Sequence, residues 1–238
     1  MNKKALGWIV AGGLLISGQL TAQPLNDLQA RLAALHSEEP IRLKVDVDLR
    51  HKGAAPLRLN DTRMRGTATV AYGPKGVEIR KKRSWGSTRN GEEIPLVTEA
   101  EALDLIDPAA TMELLLSEAT LVSDEMTTWQ GRPARLLVFR PEQLAREQKD
   151  EEAPAGPLPP LVFDARIWLD ESGVPLAMER SVELLLGPAL KATEHQTLTF
   201  QQVAGRLLVA EALETYSGTA LAVLRTGDTK KMKVTVMK

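Results

Sequence analysis

Apolar and polar residues alternate along much of this chain, which is the pattern of β-strands with one buried face. Residues 41–49 show it most clearly, because every second side chain is apolar and those between are charged. The apolar members are Ile41, Leu43, Val45, Val47 and Leu49. One face of this strand is therefore expected to be buried and the other wet, as in an antiparallel sheet.

Two regions depart from this alternation and predict helices. Residues 26–35 repeat leucines at helical spacing, with Asn26 placed to cap the first turn. Residues 98–117 are rich in leucine and alanine, and Thr98 with Glu101 fits the capping box T-x-x-E. The chain is therefore predicted to place a short helix before the first strand and helical structure between two groups of strands.

The strand pattern returns after the second helical region and continues towards the C-terminus. Single glycines punctuate it, and the last two strands are predicted at about 219–225 and 231–237. About ten strands result, nearly all joined by short turns, so the pattern predicts a mainly β (α+β) fold built as an antiparallel meander. Residues 141–160 interrupt it with an acidic, proline-rich stretch, which predicts a long loop within a single domain.

Three polar residues stand on otherwise apolar strand faces in the second half of the chain. Arg180 lies among the apolar positions of 176–186, while Glu194 and Gln196 interrupt those of 190–203. A buried charge is costly unless it is paired, so these side chains either edge a partly wet cavity or lie near strand ends or beyond the edge of the core. The pattern of the sequence leaves both interpretations open.

The N-terminus has the three parts of a secretory signal peptide, predicted to cover residues 1–22. Two lysines form its basic part, an apolar run follows over 5–17, and cleavage is predicted after Ala22. The chain has no cysteine, so neither a lipoprotein-type lipid anchor nor a disulfide is expected. The predicted mature protein is a single domain, 23–238, exported to a bacterial periplasm.

Charge and candidate chemistry add mainly exclusions. The chain carries 30 basic and 31 acidic residues, too even a balance to favour nucleic acid as a partner. Asp46, Asp48 and His51 are close in sequence, but basic residues share the strand face of the two aspartates, so a solvated charged face is preferred to a metal site. No serine lies in a G-x-S-x-G turn, and no cysteine nucleophile exists. We therefore expect no catalytic residue, no metal and no cofactor.

Two sequence stretches resemble hairpins of the LolA-like superfamily of periplasmic proteins. Residues 129–139, WQGRPARLLVF, resemble its x-x-G-(R/K)-x-(A/C) hairpin, and ARIWLD at 165–170 with GVPL at 173–176 resembles its W-(L/V)-D…G-x-P hairpin. That superfamily includes lipoprotein carriers, RseB/MucB-type sensor domains and mycobacterial glycolipid carriers. The resemblance implies an open half-barrel, which is a curved antiparallel sheet whose concave face is covered by short helices.

The resemblance also implies a function. An apolar cavity between the sheet and the 98–117 helices would hold acyl chains, so the protein would carry lipid, lipoprotein or another acylated ligand without chemistry. The alternative is a protein-binding module in envelope sensing or assembly, with a filled core and an envelope membrane protein as its partner. The residues expected to face the cavity are Phe163, Ile167, Met178, Arg180, Leu184, Glu194, Gln196 and Phe200.

Overall fold

The computed structural model describes residues 17–55, 61–86, 95–117, 119–141, 161–186, 190–220 and 224–237. The first sixteen residues, which carry the basic part and most of the apolar part of the predicted signal peptide, lie outside this part of the chain. Residues 142–160, nearly all of the predicted acidic loop, also lie outside it. Of the helices described, none combines the length and apolarity that crossing a membrane requires.

The described residues form three helices and ten strands. The helices are α1 (Ser17–Leu35), α2 (Glu99–Ile106) and α3 (Pro108–Ser117). The strands before α2 are β1 (Ile41–Ala55), β2 (Thr62–Gly73) and β3 (Gly76–Gly86). The strands after α3 are β4 (Ala119–Trp129), β5 (Arg132–Pro141), β6 (Leu161–Leu169), β7 (Pro175–Leu186), β8 (Leu190–Val203), β9 (Arg206–Ala220) and β10 (Leu224–Val236).

All ten strands belong to one antiparallel sheet in the order β3-β2-β1-β10-β9-β8-β7-β6-β5-β4. Strands that follow each other in the chain are neighbours in the sheet, apart from the two sides of the helical segment. The pairing of β1 with β10 joins the first three strands to the last seven. Within the described residues the edge strands β3 and β4 do not pair with each other, so the sheet is open. This confirms the predicted mainly β fold, a curved, open half-barrel with short helices.

Helices α2 and α3 connect the two opposite edges of this sheet, because they lie between β3 and β4 in the chain. Ten strands about 4.8 Å apart span roughly 43 Å along the sheet, too far for a tight turn. The connecting segment therefore crosses one face of the sheet. Helix α2 contacts β3 and β9 on the way, and α3 contacts β9, β4 and β5. We call this covered side the inner face of the sheet.

The hydrophobic core lies between the inner face and the three helices. In β1 the side chains of Leu43, Val45 and Val47 are buried. The alternation in the sequence therefore correctly predicted which face of this strand points inwards. The helices contribute the buried side chains Leu28, Leu32, Leu35, Ala102, Leu105, Ile106, Ala109, Met112 and Leu116. Burial of these side chains supplies the main driving force for folding, at about 1.5–3 kcal/mol for each large side chain.

Helix α1 is longer than the sequence predicted. It was expected to begin at Asn26, but it begins at Ser17 and includes Pro24. The leucine, alanine and glutamine residues before Asn26 favour helix and override the local capping signal when the chain is continuous. The predicted cleavage after Ala22 would leave Pro24 in the first turn, where the missing proline N–H costs nothing.

The predicted capping box at the start of α2 is present. The backbone N–H of Thr98 donates to a Glu101 carboxylate oxygen at 2.7 Å, and the Glu101 N–H donates to Thr98 Oγ1 at 3.2 Å. Asp107 ends α2 and starts α3, since its carboxylate accepts from the Ala110 N–H at 3.3 Å while Pro108 begins the new helix. These caps define where α2 ends and where α3 begins.

Candidate functional site on the inner face

The register of the sheet arranges the inner-face residues in rows, because directly paired residues of neighbouring strands lie side by side on one face. One row is apolar and lies under the helices. It contains Met178, Leu198, Ala212, Met232 and Val47, on five adjacent strands. The next row along the same strands contains Arg180, Gln196, Glu214 and Lys230, and we call it the first polar row.

A second polar row follows two residues further along each strand. It consists of Glu194, Tyr216, Asp228 and His51, on strands β8, β9, β10 and β1. Two residues of a strand span about 6.6 Å, so the inner face changes from apolar to polar over one row. The inner face therefore has an apolar half, covered by helices, and a polar half.

The first polar row is linked to the helices through Lys230. Its ammonium forms an ion pair with the carboxylate of Glu101, the same residue that completes the capping box of α2. Both side chains are largely buried, so the pair is little screened by solvent. This contact ties the start of α2 to β10 at the boundary between the two halves.

The remaining members of the row bind each other or the second polar row. The Gln196 side-chain amide donates to Glu214 Oε1 at 2.9 Å, and Arg180 Nη2 donates to Glu194 Oε1 at 3.2 Å. Burial raises the pKa of Glu214 above its usual range, and the hydrogen bond from Gln196 opposes that rise. The nearby Glu101 adds to the rise, whereas Lys230 counteracts it. The row is a network of partly compensated charges.

Among the described atoms, Arg180 is the cation of this row that has a buried hydrogen-bond donor without a partner. Its Nε is buried and has no hydrogen-bond partner, although its terminal nitrogen reaches Glu194. An unsatisfied buried donor costs about 1–3 kcal/mol. The first polar row thus contains one buried donor that the described residues do not satisfy.

Two residues of the second polar row, Tyr216 and Asp228, help to line a cleft of about 560 Å³ at the end of the sheet away from the helices, together with outer-face positions such as Thr215 and Thr229. Asp228 also contacts His51 Nδ1. Gly218 leaves room for the side chain of its paired residue, since a Cβ at this position would lie 3.2 Å from Thr226 Oγ1. Tyr216 and Glu194 of the second polar row remain substantially exposed.

Arg180, Glu194 and Gln196, three of the predicted cavity residues, meet in this network. Gln196 is buried, whereas Arg180 and Glu194 are partly exposed. They do not lie at strand ends, but they do lie just beyond the edge of the apolar core, in the rows that follow Met178 and Leu198. Their neighbours Glu214 and Lys230 were not predicted.

The apolar candidates have a different environment. Ile167 and Met178 are in the packed core, and Phe200 packs partly buried against it. If a water-sized void lay beside Ile167, part of the Ile167 side chain would be accessible to solvent. None of its surface is accessible. Phe163 and Leu184 occupy strands β6 and β7, but their side chains lie outside the described part of the structure.

The missed residues come from strands whose limits were predicted wrongly. Strands were predicted at about 219–225 and 231–237, but 206–220 form one strand and 224–236 the next. The stretch from Gly227 to Lys230 has turn-like residues, yet it pairs with both β1 and β9. Pairing on both sides overrides weak local preference for a turn. The sequence does contain one signal that could have indicated these residues. Apolar and polar residues alternate poorly over 207–216, because the inner face of this strand changes from apolar to polar.

The aspartates of β1 lie away from this site. Asp46 accepts a hydrogen bond from Thr67 at 2.8 Å, and Asp48 binds the guanidinium groups of Arg63 and Arg65. The Arg63 hydrogen bond lowers the pKa of Asp48 to about 2. His51 is on the inner face instead. Within the described residues, no group of three or more His, Asp and Glu side chains is arranged to hold a metal ion.

No protein-family model matches the sequence, and no curated protein matches it. Two solved structures are similar over most of the chain. A DUF1329 family protein from Desulfovibrio piger has 9% identity and a TM-score of 0.38, with 90% of this chain and 91% of that chain covered. MucB in complex with MucA(peri) has 10% identity and a TM-score of 0.23, with 89% of this chain and 94% of that chain covered.

Proposed function

We propose that this protein is a non-enzymatic binding module of the bacterial cell envelope whose ligand is another protein. The observation that carries the proposal is the filled apolar half of the inner face. Leu105, Ile106, Met112 and Leu116 of the two short helices are almost completely buried against the sheet. Around these four side chains, the space between the two short helices and the sheet is filled by the protein's own side chains.

An estimate of free energies supports a protein ligand over an acyl chain. Lifting α2 and α3 would expose four large apolar side chains at about 1.5–3 kcal/mol each, or roughly 6–12 kcal/mol. An acyl chain that buries about 14 methylene groups gains roughly 11 kcal/mol at about 0.8 kcal/mol for each group. The two quantities nearly cancel, so exchanging the helices for an acyl chain yields little net affinity.

The polar half is the recognition surface in this proposal. Its charged groups are paired with one another, as Lys230 is with Glu101 and Arg180 with Glu194, and this favours binding over catalysis. At the same time Tyr216 and Asp228 border an open cleft. A tyrosine beside hydrogen-bonding groups is a common composition for a protein-binding surface.

The periplasmic location belongs to the same proposal. It rests on the basic and apolar N-terminal pattern and on the absence of cysteine from a chain of 238 residues. Determining the N-terminal sequence of the exported protein tests it. We expect Gln23 as the first residue, and an intact N-terminus in the cytoplasmic fraction would contradict export.

A carrier of lipid, lipoprotein or another acylated molecule is the second candidate. The arrangement of the inner face favours it, because an apolar half borders a row containing two cations, Arg180 and Lys230. An amphiphile with an anionic head group has a matching arrangement, with an apolar chain next to a negative charge. Carriage would require the Lys230–Glu101 ion pair to open as the helices leave the sheet.

Two measurements on the mature protein purified from its host separate the candidates. Native mass spectrometry should show the polypeptide without a lipid adduct, and a fluorescent fatty-acyl probe should not bind saturably. A photo-reactive amino acid at the position of Tyr216 should crosslink to one defined protein, whereas the same group at Glu171, in an exposed turn, should not. A lipid adduct together with saturable probe uptake would overturn the proposal in favour of carriage.

A further inference from the structure

The two edges of the sheet differ in their charge and in how apolar they are. At the β3 edge, residues 80–83 are four consecutive basic residues, and charged residues of this kind protect an edge from unwanted pairing. At the β4 edge, Val122 is 53% exposed and Met126 is 73% exposed. Large apolar side chains on a free edge are uncommon unless another chain covers them.

Strand β4 pairs only with β5 among the described residues, so one side of its backbone has no strand partner. The register shifts at Val122, which makes this residue a bulge. From Ser123 to Trp129 the pairing is regular over seven residues, about 24 Å at 3.4 Å per residue. This length is sufficient to accept one more strand.

The acidic residues in the middle of β4 indicate what the added strand should contain. Asp124 already binds Arg135, with distances of 2.8 and 2.6 Å to the guanidinium, and this lowers the pKa of Asp124. Glu125 is exposed, and no ion pair to it is found among the described residues. A second copy of β4 paired antiparallel about Glu125 would place two glutamates opposite each other, which is unfavourable.

The pairing of β4 with β5 also shows which side chains of β4 lie on the outer face of the sheet and which lie on the inner face. Glu125 is paired with Leu136, which lies on the outer face together with the tilted ring pair Trp129–Trp168, whose centroids are 4.6 Å apart. Met126 is opposite Arg135 on the inner face. A strand added beside β4 would therefore meet an acid on one face and an apolar side chain on the other, at adjacent positions.

We propose that the β4 edge binds an extended segment of a partner protein by strand addition, with a basic residue beside Glu125 and an apolar residue beside Met126. The backbone of the segment would complete the hydrogen bonds of β4, and its alternating side chains would provide specificity. This inference goes beyond the function proposed above, because it concerns the edge of the sheet and not its inner face.

The test uses the mature protein and the capped peptide STVTKVTVS as a probe. The controls are STVTEVTVS, with the opposite charge, and STPTKVPVS, whose prolines cannot form the strand. We expect the lysine peptide to slow hydrogen exchange in the segment 119–129 and to bind about fivefold more tightly than the glutamate peptide. The proline peptide should do neither.

Charge reversal makes the test specific. In Glu125→Lys the preference should invert, so that the glutamate peptide binds more tightly, while Glu171→Lys in the turn after β6 should keep the original preference. Equal binding of both charged peptides, or no slowing of exchange in 119–129, would overturn the proposal. Slowed exchange that rises with protein concentration in the absence of peptide would also overturn it, because the occupant would then be a second copy.

The outcome is independent of the test of the proposed function. The acyl probe and the crosslinker at Tyr216 report on the inner face, whereas hydrogen exchange in β4 reports on the edge. A lipid adduct with normal peptide binding would overturn the proposed function alone. A crosslinked protein partner with no exchange protection in β4 would overturn this inference alone.

Discussion

The apolar and polar halves of the inner face lie on the same strands, yet they have different roles in the structure. In the apolar half, helices α2 and α3 bury side chains such as Met112 and Leu116 against the sheet. In the polar half, Gln196, Glu214 and Lys230 are paired with neighbours, and the second polar row borders an open cleft. The helices cover the part of the face whose burial is favourable, and the proposed recognition surface is the polar remainder.

The largest expected effect tests whether the apolar half supplies most of the folding free energy. Met112→Ala should lower the free energy of unfolding by about 2–5 kcal/mol, because it leaves a cavity between α3 and the sheet. The matched control is Leu114→Ala on the same helix, where the side chain is 73% exposed and the change should be about 0.5 kcal/mol or less. Urea unfolding measures both, and equal losses would contradict the described packing of α3.

The ion pair at the boundary should have the next largest effect. Lys230→Met should cost about 2 kcal/mol, since it leaves the largely buried Glu101 without its partner, and a fully buried pair costs about 3–5 kcal/mol to break. The control is Lys233→Met on the same strand, which disrupts an exposed pair with Glu211 and should cost about 0–1 kcal/mol. A coupling energy near zero between Lys230→Met and Glu101→Gln would show that the pair does not join the two halves.

A smaller loss of stability is expected from a change at the N-terminal cap of α2. This cap lies at the boundary between the apolar and polar halves. Thr98→Ala removes the side chain that accepts from the Glu101 N–H and should cost about 1 kcal/mol. Thr98→Ser retains the hydroxyl and should restore most of that loss. If both variants unfold at the same urea concentration, the capping box does not stabilise α2.

The smallest effect is expected to be a pH dependence in the polar half. Because burial raises the pKa of Glu214 above its ordinary 4.5, the folded state binds this proton more tightly than the unfolded chain does. The contribution of Glu214 therefore becomes less favourable as the pH rises from 4.5 through the raised value. Glu214→Gln should gain stability relative to the wild type over this range.

Urea unfolding at about pH 4 and about pH 8 measures this gain on both sides of the transition. The control is Glu211→Gln, which removes an exposed carboxyl of the same strand and is measured at the same two pH values. A gain for Glu214→Gln that is equal at both pH values would show that burial does not perturb this carboxyl.

Local signals in the sequence were sufficient where neighbouring residues decide the structure. The alternation in 41–49 correctly predicted the buried face of β1, and the T-x-x-E pattern correctly predicted the cap at Thr98. Arg180, Glu194 and Gln196 were recognised because each breaks a local alternation. In contrast, the start of α1 was wrong, since capping residues compete with the helix preference of the chain before them.

The strand pattern alone determined that this chain forms an antiparallel sheet with one apolar face, because alternation with a period of two acts within each strand. The tertiary structure decided which strands are neighbours, and above all that β10 pairs with β1. That register, and not any local motif, brings Lys230 and Glu214 beside Gln196 and Arg180. It also decided that the helices fill the apolar half, because that depends on a connection between the two opposite edges of the sheet.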